Sequence, residues 1–304
     1  MQLWQKLVKD FQFWTLLLPL LLLGIAVLKP TLPMQRPLFN YVFVIDITQS
    51  MNARDYQVKD LPSDRLSFTK HAIKLALQKL PCDSKVSLGL FTTKNMFMLF
   101  EPLEICQHYA VLEKSLMKID WRMAWAADSH IARGIYTSIK ELSNMPSNPR
   151  LVFFTDGQQT PLNIKEPLFL LKQGIVQGLI MGVGNLQPVP IPRLDEDNIP
   201  QGFWQIEDAE TLSAYQAKHG TSKGKYLSSV QENDLKRLAG ITGLHYRHLE
   251  SPEQLSRDLM LPELSQPRKV DTDVSWIFIA LALSCFLLPY FFSTHRLWFI
   301  NGDR

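Results

Sequence analysis

The chain has 304 residues, 46% of them hydrophobic and 20% charged, which is too apolar for an extended disordered protein and too polar for a polytopic transporter. Its formal net charge of +3, from 32 Lys and Arg against 29 Asp and Glu, is too small a basic excess to mark a nucleic-acid binder. Three cysteines exclude a disulfide-built scaffold and a zinc cluster of four thiolates, and allow one disulfide at most.

The apolar excess lies at the two ends. Phe11 to Leu28 runs 18 residues without a charge and Val274 to Phe292 runs 19. Both reach the length at which a helix crosses the roughly 30 Å hydrocarbon core of a bilayer, and Pro19 and Pro289 are tolerable there. Lys6 and Lys9 before the first stretch also suit a secretory signal, but no small-x-small cleavage site follows, so an uncleaved anchor is expected. Two crossings put residues 1–10 and 293–304 on one side, here expected to be the cytoplasm, and the intervening chain on the other. Lys and Arg flank both stretches on both sides, so charge bias does not choose the side.

Between the ends, Asn40–Ile45, Arg150–Thr155 and Ile175–Val183 are nearly unbroken apolar runs, the pattern of strands buried on both faces of a parallel sheet. Leu66, Ile73, Leu77 and Leu80 form a helical stripe with Ser63 as N-cap and Pro81 as stop. Tyr109, Leu112 and Leu116 form a shorter stripe, and Ile131, Ile135, Ile139 and Leu142 another. Ser84–Phe91 and Met96–Phe100 read as a hairpin turning near Lys94 and Asn95. Cys82 and Cys106 lie equally far from Lys94, so the hairpin brings them together at its open end, where they form a disulfide or stay as two buried thiols. The disulfide reading implies an oxidising compartment, expected to be the periplasm, while Cys285 lies inside the second apolar stretch and stays reduced. After Val183 the chain continues through a Pro-rich loop (Gln187–Pro200), a helix at Glu232–Ala239, a strand at Leu244–Tyr246 and a helix at Pro252–Leu259. The whole predicts a doubly wound α/β domain, with its core at 38–190 and an extension at 191–265.

Ligands of such sheets bind beyond the carboxyl ends of the strands, and those ends are rich in oxygen here. Asp46, Thr48 and Ser50 follow the first strand, Asp156 and Gly157 follow the Arg150 strand, and Asp128, Ser129 and His130 precede the Ile131 stripe. Carboxylates mixed with hydroxyls suit Mg²⁺ or Mn²⁺ and leave a position for water or an external ligand. Taken singly, each of these residues also has a plain reading as a cap or turn former.

On these residues the sequence resembles the von Willebrand factor A domain with its metal-ion-dependent adhesion site. FVIDITQSMN carries Asp46 and Ser50 in place, with Thr48 exchanging one hydroxyl for another, and VFFTDGQQ carries Asp156 and Gly157. In the second loop Ser129 keeps the hydroxyl, while Asp128 replaces a small residue and reads either as a supporting partner of the metal or as an N-cap. The resemblance implies metal ligands Asp46, Thr48, Ser50, Ser129 and Asp156, no catalysis, and a protein partner whose carboxylate completes the coordination. The flanking apolar stretches resemble bacterial membrane-anchored members of the family. That likeness implies a place in the cytoplasmic membrane, contact with lipid, and links to MoxR-type AAA ATPases and other membrane proteins of the same domain type. MNARDY, GLFT, DWRMAWA, the TDG strand and PIPRLDEDNIPQGFW are similar to accessory proteins of methanol dehydrogenase production, which implies a role in assembling or maturing an extracytoplasmic enzyme.

Two other readings stay open. A phosphatase of the haloacid dehalogenase type would use Asp46 as nucleophile, but it ordinarily needs an acid two residues on, where Thr48 stands. A domain in the cytoplasm would instead act as co-chaperone of the ATPase. Asp195 to Asn198 reads as a solvated loop rather than a calcium site, His219, His245 and His248 as structural, and Trp121 and Trp125 as packing beneath the second loop.

Overall fold

The computed structural model describes residues 11–126, 128–161, 165–208 and 224–300, and the side chains of all of these but 11, 12, 15 and 288–300. In chain order the first elements are α1 (Phe11–Val27), β1 (Thr31–Leu38), β2 (Asn40–Asp46), α2 (Arg65–Lys79), β3 (Lys85–Thr92), β4 (Asn95–Met98), β5 (Leu103–Glu104), α3 (Ile105–Lys118) and α4 (Ile131–Ser143). Then come β6 (Arg150–Thr155), β7 (Gly178–Gly182), β8 (Val189–Pro190), β9 (Pro192–Leu194), β10 (Pro200–Phe203), β11 (Leu227–Ser228), α5 (Glu232–Thr242), β12 (His245–His248), α6 (Pro252–Leu259), β13 (Gln266–Asp273) and α7 (Ser275–Ile300). They divide into two compact units, Pro37–Gln266 and the two chain ends, Met1–Arg36 with Pro267–Arg304.

In the larger unit the main sheet runs β12-β7-β6-β2-β3-β4, with β5 also paired to β3. The first five of these strands are parallel to their neighbours, and β4 and β5 pair antiparallel with β3. Every residue of β2 is buried, and alternation sorts its side chains between two cores. Tyr41, Phe43 and Ile45 pack with Ile73 and Leu77 of α2, Leu112 and Leu116 of α3, and Leu255 and Leu259 of α6. Val42 and Val44 pack on the other side with Ile135 and Ile139 of α4 and Leu235 and Leu238 of α5. At about 1.5–3 kcal/mol for each fully buried aliphatic side chain, these two layers supply the main driving force of the fold.

The chain leaves β2 toward β3 on one side and later returns as β6 on the other, so the strand order reverses between β2 and β6. A crevice opens at the carboxyl ends of such a pair.

Several boundaries shift from the sequence reading. Asp64, not Ser63, caps α2, its Oδ1 accepting from the Ser67 amide at 2.8 Å. The Ile175–Val183 run is a strand only over Gly178–Gly182, α5 continues to Thr242, and the 244–246 strand lies at 245–248. The extension is no appendage: β12 is an edge strand of the main sheet, and α6 packs in the same core as α2. No helix occupies the described part of the β6–β7 crossover, where Leu168 and Leu170 are exposed and Phe169 and Leu171 face the core.

The hairpin β3–β4 turns through Thr93 and Lys94, and β5 returns to pair with the start of β3. This brings Cys106, in the first turn of α3, against Cys82, and the two form a disulfide with Cα atoms 5.3 Å apart. With 24 residues of sequence separation, the bond restricts the unfolded chain and stabilises the fold by about 3–4 kcal/mol in the chain-entropy account. Reduction of the full chain is therefore expected to lower its urea midpoint by that equivalent; an unchanged midpoint would show that the bond contributes nothing.

In the other unit β1 pairs with β13, and the Val274 amide donates to the Pro30 carbonyl at 3.0 Å. No helix among the described residues is long and apolar enough to cross a membrane. The crossings expected at 11–28 and 274–292 are therefore unsupported. The first helix has 17 residues, about 26 Å of rise against a hydrocarbon core of about 30 Å. Both helices do carry apolar surface: Leu16, Leu20 and Leu23 of α1 and Trp276, Ile279 and Leu283 of α7 are exposed, whereas Ala26 and Ala282 are buried. Residues 1–10 and 301–304 of the expected tails lie outside the described residues.

Candidate metal centre

Three loops meet at the crevice between β2 and β6. The first begins at Asp46, the last residue of β2, and continues through Thr48 into a 3₁₀ turn, Gln49–Asn52, that carries Ser50. Asp46 Oδ1 accepts from the Thr48 amide at 2.9 Å and from Thr48 Oγ1 at 2.7 Å, while the Thr48 and Ser50 hydroxyls lie 3.4 Å apart. Asp46 Oδ2 accepts from Thr155 Oγ1, at the end of β6, at 2.6 Å.

The second loop is fixed by backbone. The Ser129 amide donates to the Thr160 carbonyl at 2.8 Å, Thr160 donates back to Ser129 at 3.0 Å, and the next amide, His130, donates to the Thr93 carbonyl of the hairpin turn. Ser129 is thus held by chain on both sides. Its hydroxyl is buried and has no hydrogen-bond partner among the described residues.

Asp156, in the third loop, is engaged on both oxygens. Oδ1 accepts from the Gln158 amide at 2.9 Å; Oδ2 accepts from Arg65 Nη1 at 2.7 Å and from Ser228 Oγ at 3.1 Å. Arg65 is fully buried at the start of α2 and also pairs with Asp55 through Nε at 2.9 Å and Nη2 at 2.6 Å. Burial works to lower the Arg65 pKa, yet Asp156 and Asp55 outweigh it and leave the pKa raised, so the guanidinium stays charged.

The sequence reading missed Arg65 altogether. A basic residue in the first turn opposes the helix dipole, which is the one local sign that its charge is used elsewhere. Ser228, from a segment distant in sequence, gave no sign.

Gly184 makes room for this arginine. Its φ is +100°, and a Cβ there would lie 2.2 Å from Arg65 Nε. Gly184→Ala is expected to cost about 1–3 kcal/mol from backbone conformation alone, and more from displacing the guanidinium. Urea unfolding of the full chain measures it, and a wild-type midpoint would show that Arg65 yields freely.

Asp46 differs from Asp156. Burial first, and Asp156 second, push its pKa up to about 7, against the hydrogen bonds from Thr155 and Thr48 that favour the carboxylate. Hydroxyls and an amide surround it, but the described contacts give it no basic side chain. An uncompensated buried carboxylate beside two clustered hydroxyls, with a third hydroxyl left without a partner, is a donor set that fits a hard divalent cation. Asp46, Thr48, Ser50 and Ser129 fit that role as placed. Asp156 also stands at the site, but already has a cation in Arg65.

Thr48, Ser50 and Ser129 line a cavity of about 200 Å³, together with Gln49, Asp128, Gln158 and Thr160. Its other wall is Ile191, Trp204 and Tyr226, from the segment read as a loop and extension.

The remaining candidates supply no part of this donor set, although Asp128 lines the cavity. Asp128 is not the cap of α4: His130 holds that position, without a side-chain cap bond, and its Nε2 lies 3.9 Å from the half-exposed Asp128 carboxylate. Trp121 packs partly against the core and donates to Asn198 Oδ1 at 2.6 Å, whereas Trp125 is exposed and meets Phe97 edge-on. Asp195 closes the β9–β10 turn by accepting from the amides of Asp197 and Ile199. His245 and His248 stand three apart on β12 and so point to opposite faces, and His219 lies outside the described residues.

A mostly parallel sheet covered on both sides, with an oxygen-rich crevice at its switch point, defines a doubly wound α/β fold. Comparison bears this out. Residues 41–159 match the sequence profile of the von Willebrand factor type A domain. Among solved structures the chain is similar to BatB, a conserved hypothetical protein from Bacteroides thetaiotaomicron, at 15% identity over 73% of this chain and 97% of that one, with a TM-score of 0.50. It is also similar to an aerotolerance-related membrane protein from Bacteroides fragilis NCTC 9343, at 15% identity over 73% and 98% of the two chains, with a TM-score of 0.47. The likeness to BatB, at this identity, is one of fold. Comparison with curated protein sequences gives no match.

Proposed function

We propose that the chain is a non-catalytic, membrane-associated module that grips a protein partner through a divalent cation. The reading rests on one observation: two loops deliver the Asp46 carboxylate and the Thr48, Ser50 and Ser129 hydroxyls to one crevice, where among the described residues Asp46 has no paired cation and Ser129 Oγ has no hydrogen-bond partner. Those four residues, with Asp156 beside them, would hold Mg²⁺ or Mn²⁺. The cation would supply an oxygen-seeking position that an Asp or Glu of the partner can fill. This chain's own part is to hold its hydroxyls in place, through Asp46 for Thr48 and through Thr160 and Thr93 for the Ser129 loop.

Membrane association draws on the exposed leucines, isoleucine and tryptophan of α1 and α7, since an apolar surface of that kind needs a cover. The Cys82–Cys106 bond supports an extracytoplasmic setting for the larger unit. In that setting the module would assist the assembly or maturation of an extracytoplasmic enzyme, methanol dehydrogenase being the one its sequence resemblance suggests. The phosphatase alternative lacks a general acid two residues beyond Asp46, because Thr48 instead donates to that carboxylate.

Tagged full chain purified from membranes with Mg²⁺ is expected to retain partners that EDTA releases. Identical recovery in both preparations would overturn metal-dependent recognition.

A further inference from the structure

The cavity beside the candidate metal centre has an apolar wall. Backbone hydrogen bonds set Ile191, Trp204 and Tyr226 side by side: the Trp204 amide donates to the Ile191 carbonyl at 3.1 Å, Tyr226 to Trp204 at 2.7 Å, and Ile191 to Tyr226 at 3.1 Å. Ile206 packs behind them in a separate small core, and the Arg193 guanidinium sits 5.0 Å from the Trp204 ring centroid. The wall is thus braced rather than a loose flap.

Two residues that line this cavity each carry a buried polar atom with no hydrogen-bond partner among the described residues, the Trp204 indole N–H and Gln158 Oε1. Gln158 is more than nine-tenths buried, with its amide nitrogen directed to the Leu227 carbonyl at 3.4 Å. Both atoms are shielded as placed, and a peptide unit carries the complementary pair, a carbonyl acceptor and an amide donor, for these two side chains once they turn into the cavity. Asp128 and the exposed Asp208 also line the cavity, so a second acidic group on the occupant would be repelled.

We propose that this cavity receives the residue next to the metal-binding acid: the partner presents a segment with a single Asp or Glu flanked by a large apolar side chain, which lies against Ile191, Trp204 and Tyr226. This rests on the metal-dependent reading above and adds the partner's local sequence to it. The acid supplies the contact common to any carboxylate. The apolar neighbour supplies selection among carboxylates.

A displayed library of hexapeptides with all positions varied, panned against full-length, Mg²⁺-loaded chain, tests this. The expected selection requires one acid and enriches Phe, Leu or Met beside it by about tenfold over the unselected library, the value of burying part of such a side chain. Trp204→Ala should lose the apolar enrichment and keep both the acid requirement and the EDTA sensitivity. Trp204→Phe should keep the enrichment with weaker retention, since it restores the ring but not the N–H, and it serves as the folded control. An acid requirement with no preference beside it would overturn the pocket assignment while leaving the metal reading in place. Retention that needs no acid, or survives EDTA, would overturn the metal reading itself. Retention of free acetate or glutarate but of no peptide would overturn the assignment to a protein segment.

Discussion

Arg65→Met is expected to lower the unfolding free energy of the full chain by about 3–5 kcal/mol, because it removes the shared cation from two buried carboxylates and leaves both charges without compensation. The same principle says that the intact cluster need not be worth that much against an apolar replacement; the loss is the cost of stranding Asp55 and Asp156. Methionine follows the aliphatic stem of arginine, so little of the effect should come from lost volume. Urea unfolding measures it. Adding Asp55→Asn to Arg65→Met should recover part of the loss, and the double-mutant cycle isolates the coupling. A single-variant change below about 1 kcal/mol would mean that water reaches the cluster and that the charges are solvated, contrary to their full burial.

Asp46→Ala should do the opposite: spare the fold and abolish cation binding. By isothermal titration of the full chain, the affinity for Mg²⁺ and Mn²⁺ is expected to fall by more than about 100-fold, beyond the usual effect of losing a residue that merely supports a ligand. Stability should change little, because two terms oppose each other. Removing a carboxylate whose charged form burial disfavours is favourable; leaving the Thr155 and Thr48 donors without their acceptor is not, at about 1–3 kcal/mol for a buried group. Asp156→Ala is the informative contrast, since it also takes from Arg65 one of its two carboxylate partners, leaving Asp55 alone, and should therefore lose stability as well. Unchanged affinity in Asp46→Ala would place the cation elsewhere.

What the sequence revealed tracks how local each signal is. β2 was legible because seven consecutive buried positions leave an apolar run that only a doubly covered strand tolerates. The α4 stripe was legible because Ile131, Ile135, Ile139 and Leu142 recur at the helical period on one buried face. The switch-point hydroxyls were legible as a group because strand ends are where such folds place ligands. Arg65 was not, because its partners Asp55, Asp156 and Ser228 come from three separate parts of the chain and no spacing rule connects them. The Trp204 wall was hidden for the same reason. Its three residues lie beside short strands of two to four residues, too brief to leave a period, and only their ladder brings them to the cavity. The shift from Ser63 to Asp64 is smaller: both residues can cap, and only the Asp64 contact to the Ser67 amide decides.

The turn that accepts from the His130 amide lies inside the ring closed by Cys82 and Cys106, and its next residue, Lys94, is exposed. A trypsin cut after Lys94 would therefore separate β3 from β4 in sequence without releasing either piece. The nicked chain would migrate as one species on a gel without reductant and as two with it. Thr93 would remain attached to the β3 side, next to the loop it steadies, so a single scission at this tip would leave the crevice assembled and the wound covalently bandaged.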